Sequence, residues 1–147
     1  MYKRIILAYD GSASGQRALL GLRDLSHWER PRLTLVAVVP SPELEAGTIE
    51  MGYFSSASPA AMEESLREQL DKGVKALRAM GFEADGELLR GEVIREITQF
   101  AQAQKADLIV VVHKHEKSLL RRWWSDATAK SLVEYAPCNV LIAVASA

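Results

Sequence analysis

One cysteine, Cys138, stands in 147 residues, so an internal disulfide framework is excluded and the chain reads as a protein of a reducing compartment, the cytoplasm. No apolar run approaches the length of a membrane span, and no charged-then-apolar leader opens the chain. Charge of one sign is also missing. Eighteen basic and 19 acidic residues leave a net charge of −1, too little to steer nucleic acid or an anionic membrane without a local patch. Glycine is scarce where it is most expected: from Ile109 to Thr128, IVVVHKHEKSLLRRWWSDAT, a strand runs into a loop that holds none. Walker loops, Gly-x-Ser-x-Gly elbows and His-Glu-x-x-His helices are absent throughout.

What is present, at 48% hydrophobic and 25% charged, suits one globular domain, residues 1–147, with a substantial core. Short β-branched runs alternate with helical patterns, the signature of βαβ units and a parallel sheet covered on both faces. Residues 3–9 form a first strand that stops at Asp10-Gly11-Ser12, and Ala18, Leu19, Leu22 and Leu25 then repeat at helical spacing. A second strand, 32–39, ends at Pro40-Ser41-Pro42. Residues 40–59 carry no period and read either as a lid or as a surface insertion. Met62, Leu66, Leu70, Val74 and Leu77 then mark a long amphipathic helix ended by Gly81. Residues 82–89 give a third strand, Val93, Ile97, Phe100 and Ala101 a helix, 107–112 a fourth strand, 126–135 a helix and 139–145 a last strand.

This order predicts an α/β fold: a three-layer α/β/α sandwich with a five-stranded parallel sheet. Ligands of such sheets sit beyond the carboxyl ends of the strands where the winding reverses. That rule brings together Asp10, the end of the second strand and the residues from His113 onward.

Along its whole length the chain resembles the universal stress protein family. The likeness rests on KRIILAYDGS at the start, LTLVAVVP in the second strand, GEVIREI after the third, ADLIVVV in the fourth and YAPCNVLIAV at the end. It implies a flavodoxin-like winding of the adenine nucleotide alpha hydrolase kind, a homodimer paired through the last strand, and in many members bound ATP. Nucleotide-binding members carry Gly-x2-Gly-x9-Gly-(Ser/Thr) after strand four, where bare backbone amides approach phosphate. Here those positions fall on His113, Glu116, Asp126 and Ala127, and none matches.

The replacements oppose phosphate by bulk and by charge. Two unit charges about 4 Å apart at an effective dielectric near 20 interact by roughly 4 kcal/mol, about half of the 8 kcal/mol that a micromolar affinity represents. Tight ATP binding in the usual pose is therefore not expected. The resemblance still implies that Asp10 meets an adenine amino group, that the Val38 backbone meets the base edge and that Gly91 approaches ribose or phosphate. Each has a plainer reading: Asp10 as a helix cap, and Gly91 as the residue that permits a strand-to-helix turn.

Lys114, Lys117, Arg121 and Arg122 give the loop four cations, and Trp123 and Trp124 stand beside the arginines. They suit either a differently posed anion or a solvated basic turn. His113-x-His115 with Glu116 lacks a visible third rigid ligand, so no metal is expected. Cys138 precedes a buried strand without an activating base and reads as an inert thiol. The last strand carries Val140, Leu141, Ile142, Ala143 and Val144 with no charge to guard an edge, which points to pairing with a second copy, the alternative being a strand covered within the monomer.

Two functions follow. One is a non-enzymatic stress-response protein with a degenerate nucleotide loop, acting as a dimer through contacts with another protein and holding no tight cofactor. The other is a sensor or weak ATPase binding ATP or AMP, with or without Mg²⁺, through an atypical loop.

Overall fold

A computed structural model describes residues 2–8, 30–40, 59–114 and 126–145. Five strands, β1 (Arg4–Ala8), β2 (Arg32–Pro40), β3 (Glu83–Gly91), β4 (Leu108–Lys114) and β5 (Asn139–Ala145), form one parallel sheet in the order β3-β2-β1-β4-β5. Three helices belong to the described residues: α1 (Pro59–Ala79), α2 (Val93–Ala103) and α3 (Asp126–Tyr135). The helix expected after Ser12, marked by Ala18, Leu19, Leu22 and Leu25, and the segment 41–58 lie outside them.

Alternation along each strand sorts the apolar residues onto two faces. Ile5, Leu7, Leu33 and Leu35 pack with Leu70, Val74 and Leu77 of α1, whereas Ile6, Ala8, Val36 and Val38 pack with Ile94, Ile97 and Ala101 of α2 and Leu132 of α3. The step from β2 to β3 thus uses one face, and the steps β3 to β4 and β4 to β5, taken in the opposite direction along the sheet, use the other. Right-handed crossovers require that exchange of face when the winding reverses. The reversal falls between β1 and β4, adjacent strands that are not consecutive in the chain.

Local chemistry sets the element ends. Helix α1 closes with Gly81 at φ 91°, its N–H donating to the Arg78 carbonyl at 2.9 Å and Phe82 N–H donating to Leu77 at 3.1 Å, the left-handed turn that glycine adopts without strain. Gly86 of β3 lets α1 lie close: a Cβ there would stand 2.7 Å from Leu70 Cδ2. At the amino edge the Asp107 carboxylate accepts the backbone N–H groups of Lys3 (3.0 Å) and Arg4 (2.9 Å), and Asp107 N–H donates to Arg4 O at 3.0 Å. This aspartate of the ADLIVVV run aligns the starts of β1 and β4. No described helix is long and apolar enough to cross a membrane.

Two expected strand ends are corrected. β4 continues through His113 and Lys114, which were expected to open the loop, because pairing to β5 runs on in register to Lys114 and Ala145. β3 reaches Gly91 rather than residue 89, because its register with β2 extends to Pro40.

Candidate functional site

At the centre of the sheet, where β1 and β4 lie side by side, the winding reverses. Ala8, the last described residue of β1, pairs with Val36 on one side and Val111 on the other. Beyond that register β2 runs on from Ala37 to Pro40 and β4 from Val112 to Lys114, each keeping its outer neighbour, β3 or β5. In sheets wound this way the carboxyl ends of the strands at the reversal are where ligands bind.

Val38 lies near the end of β2, 0% exposed, with Leu89 of β3 as its outer register partner. It offers this edge backbone but no solvent-facing side chain. His113 and Lys114 end β4, level with Val144 and Ala145 of β5. Asp126 and Ala127 begin α3, placing two positions of the glycine pattern in a helical first turn. The structure therefore gathers Val38, His113, Lys114, Asp126 and Ala127 on elements that end or begin at this edge. Asp10, Glu116, Lys117, Arg121 and Arg122 lie outside the described residues, as do His27, His115 and the tryptophans of the loop.

Gly91 sits one strand further out, beside Pro40, at φ 135°, a backbone conformation that residues with a Cβ rarely adopt. A Cβ there would also stand 2.8 Å from Glu96 Oε1 and 3.0 Å from its Cγ. The turn and the packing of Glu96 account for this glycine without a ligand. Its strand neighbour Arg90 pairs with Glu63 of α1, which also accepts from Arg67 at 3.3 Å, tying the first turns of α1 to the end of β3.

Glu92, which sequence reasoning passed over, occupies the amino end of α2. Its Oε1 accepts from Ile94 N at 3.1 Å and its Oε2 from Arg95 N at 2.9 Å. Free amides at a helix start are an anion's natural partners, and two of those on α2 are already taken by this chain's own carboxylate. The usual signal for such a cap is Ser, Thr, Asp or Asn, so a glutamate gave no warning.

Cys138 is half-buried against the α2–α3 face. Burial first, and the Asp107 carboxylate second, push its thiol pKa up, so the protonated form, a poor nucleophile, dominates near neutrality.

The pattern of residues matches the model of the universal stress protein family over residues 1–143. The chain belongs to the universal stress protein family. A family relative from Thermus aquaticus, a universal stress protein, is 31% identical over 143 residues, covering 97% of this chain and 98% of that protein. Among solved structures, a universal stress protein in complex with cAMP superposes with a TM-score of 0.68 at 16% identity, covering 99% of each chain. A universal stress protein from Archaeoglobus fulgidus in complex with dAMP gives 0.67 at 19% identity, covering 97% of this chain and 98% of that one. At such identities the superpositions establish the fold, and the five-stranded α/β architecture agrees with the one expected from the sequence.

Proposed function

We propose that this member of the universal stress protein family is a non-enzymatic cytoplasmic stress-response protein that works as a homodimer joined through β5, engages a protein partner, and holds no adenine nucleotide tightly. The observation that carries this reading is β5 itself. It closes one side of the sheet with no charged residue, and Ile142 at its middle is 43% exposed. An unguarded edge of that kind invites a further strand, and antiparallel pairing with its own copy satisfies both backbones. Weak nucleotide binding is supported by the side chains at His113, Glu116, Asp126 and Ala127, where a phosphate loop needs glycine and a hydroxyl, and by Glu92, which already holds two amides of α2. Sedimentation equilibrium with and without Mg²⁺-ATP tests both parts at once. A dimer in either condition, with nucleotide absorbance left behind in the solvent, is expected; a monomer, or ATP travelling with the protein at micromolar concentration, contradicts the proposal.

A second reading has its own support in the strand ends that Val38, His113 and Lys114 bring to the point where the winding reverses, and in the nucleotides named for two structural neighbours. On that reading the chain senses AMP or ATP, or hydrolyses ATP slowly, with Asp10 and Val38 meeting the base and Lys114, Lys117, Arg121 and Arg122 replacing the glycine loop. Thermal shift with ATP, ADP, AMP and cAMP, with and without Mg²⁺, separates the two. A ligand at a hundred times its dissociation constant stabilises by about 2.7 kcal/mol, whereas the first reading expects no shift at that level.

A further inference from the structure

At the amino edge of the sheet, Arg4 and Arg32 are register partners on adjacent parallel strands. Alternation puts both on the α2 face, the face of Ile6 and Val36. Like charges set side by side in a ladder repel. A hollow of about 250 Å³ opens here, lined by Arg4, Ile6, Arg32, Thr34, Gln104 and Lys105 among others.

Lys105 adds a third cation through a strained backbone. It follows the Gln104 cap of α2 at φ 52°, in the turn where Ala106 N–H donates to Ala101 O at 2.9 Å. The same turn after α1 is made by Gly81. A left-handed conformation is unfavourable for any residue with a Cβ, so a lysine stands at this rim in a position for which glycine is better suited.

These cations are only partly satisfied. Arg4 Nη1 donates to the Gln104 carbonyl at 3.1 Å, Arg32 Nη2 donates to Asp85 Oδ2 at 2.9 Å, and Arg32 Nε lies 4.0 Å from Glu83 Oε1. The Asp107 carboxylate is engaged by the amides of Lys3 and Arg4. Each guanidinium carries five N–H donors, so both keep donors beyond those contacts, and Lys105 has no ion pair among the described residues.

We propose that this hollow is a binding site for a phosphate-class oxyanion, gripped by Arg4, Arg32 and Lys105. Guanidinium forks match tetrahedral oxyanions, and at about 30 Å³ for each water the space accommodates one such group with part of its hydration. Asp85 and Glu83, beside Arg32, keep the affinity modest and dependent on salt. The site lies at the opposite edge of the sheet from Val38, His113 and Lys114, so it stands whichever proposed function holds.

Titration of ¹⁵N-labelled protein with inorganic phosphate, pyrophosphate and AMP, at low and constant ionic strength with chloride as control, tests it. Saturable shifts of amides in residues 103–106 and 32–34 are expected with phosphate and pyrophosphate but not with chloride. The AMP arm separates free phosphate from a nucleotide's phosphate as the source, and saturation at these amides by either supports the site. Lys105→Gly relieves the strained turn, so its Tm should rise while binding weakens at least tenfold; Arg4→Gln should weaken binding likewise. Equal shifts with chloride, or binding unchanged in Lys105→Gly, would overturn the proposal, leaving these cations to complement the carbonyl end of α2.

Discussion

At one margin of the sheet β3 carries Glu83, Asp85, Glu87 and Arg90 along nine residues; at the other β5 runs Asn-Val-Leu-Ile-Ala-Val-Ala without a charge. Among the described residues, both strands have a sheet neighbour on one side only. On β3 most of these charges are bound into local pairs: Asp85 accepts from Arg32 at 2.9 Å and from Arg78 at 3.3 Å, Glu83 lies 4.0 Å from Arg32, and Arg90 pairs with Glu63. Charged side chains make an edge costly to cover, because a docking strand would have to strip them of water. On β5 the corresponding groups cost nothing to bury, and Leu141 and Val140 already pack half-buried on its two faces. The contrast teaches that the two margins differ in what guards them: charge protects β3, and no charged side chain protects β5.

The largest effect should come from putting on β5 what β3 has. Ile142→Lys places a charge at the middle of the bare strand, and light scattering should then report a monomer where the proposed function expects the native chain to be a dimer. Giving β3 what it lacks has a different outcome. Gly86→Val sets a side chain 2.7 Å from Leu70 Cδ2 and 3.1 Å from Val74 Cγ2, so denaturant unfolding should show a loss of about 1–3 kcal/mol with the dimer retained. Glu92→Ala removes the α2 cap and should lower stability by about 0.5–2 kcal/mol in the same assay, again leaving assembly unchanged.

The smallest effect concerns the charges that guard β3. Hydrogen bonding from Arg32 first, opposed by burial, holds the Asp85 carboxyl below the usual aspartate range. A depressed folded pKa contributes stability that is present above the unfolded value of about 3.9 and lost as pH falls through the folded one. Native protein should therefore exceed Asp85→Asn slightly in stability at neutral pH, and the gap should close on acidification below about pH 4. Since the Asp85 side chain is 46% exposed, solvent screening keeps that gap small.

Sequence made the fold legible because its two signals, β-branched runs and helical periodicity, are local. The start of α1 at Pro59, its end before Gly81 and the bounds of α3 and β5 follow from them. The ends of β3 and β4 did not, since Gly91 and Lys114 belong to strands only through partners elsewhere in the chain, Pro40 and Ala145. The site was legible in part. Missing glycines at 113, 116 and 126 are visible in the chain, but that β2 and β4 run on to Pro40 and Lys114 depends on their register with β3 and β5. Glu92 and Lys105 were hidden for a different reason: each fills a helix-end position that propensity assigns to other residues.

Amide hydrogen exchange along β5 of the native protein, measured at a concentration where the dimer forms, tests the central claim most directly. If β5 pairs with its copy, its amides on both sides should be protected to the level of those in β4. Rapid exchange at every second β5 amide, the set not bonded to β4, would mean that the edge stands open to water, and the account of this strand as the dimer contact would be wrong.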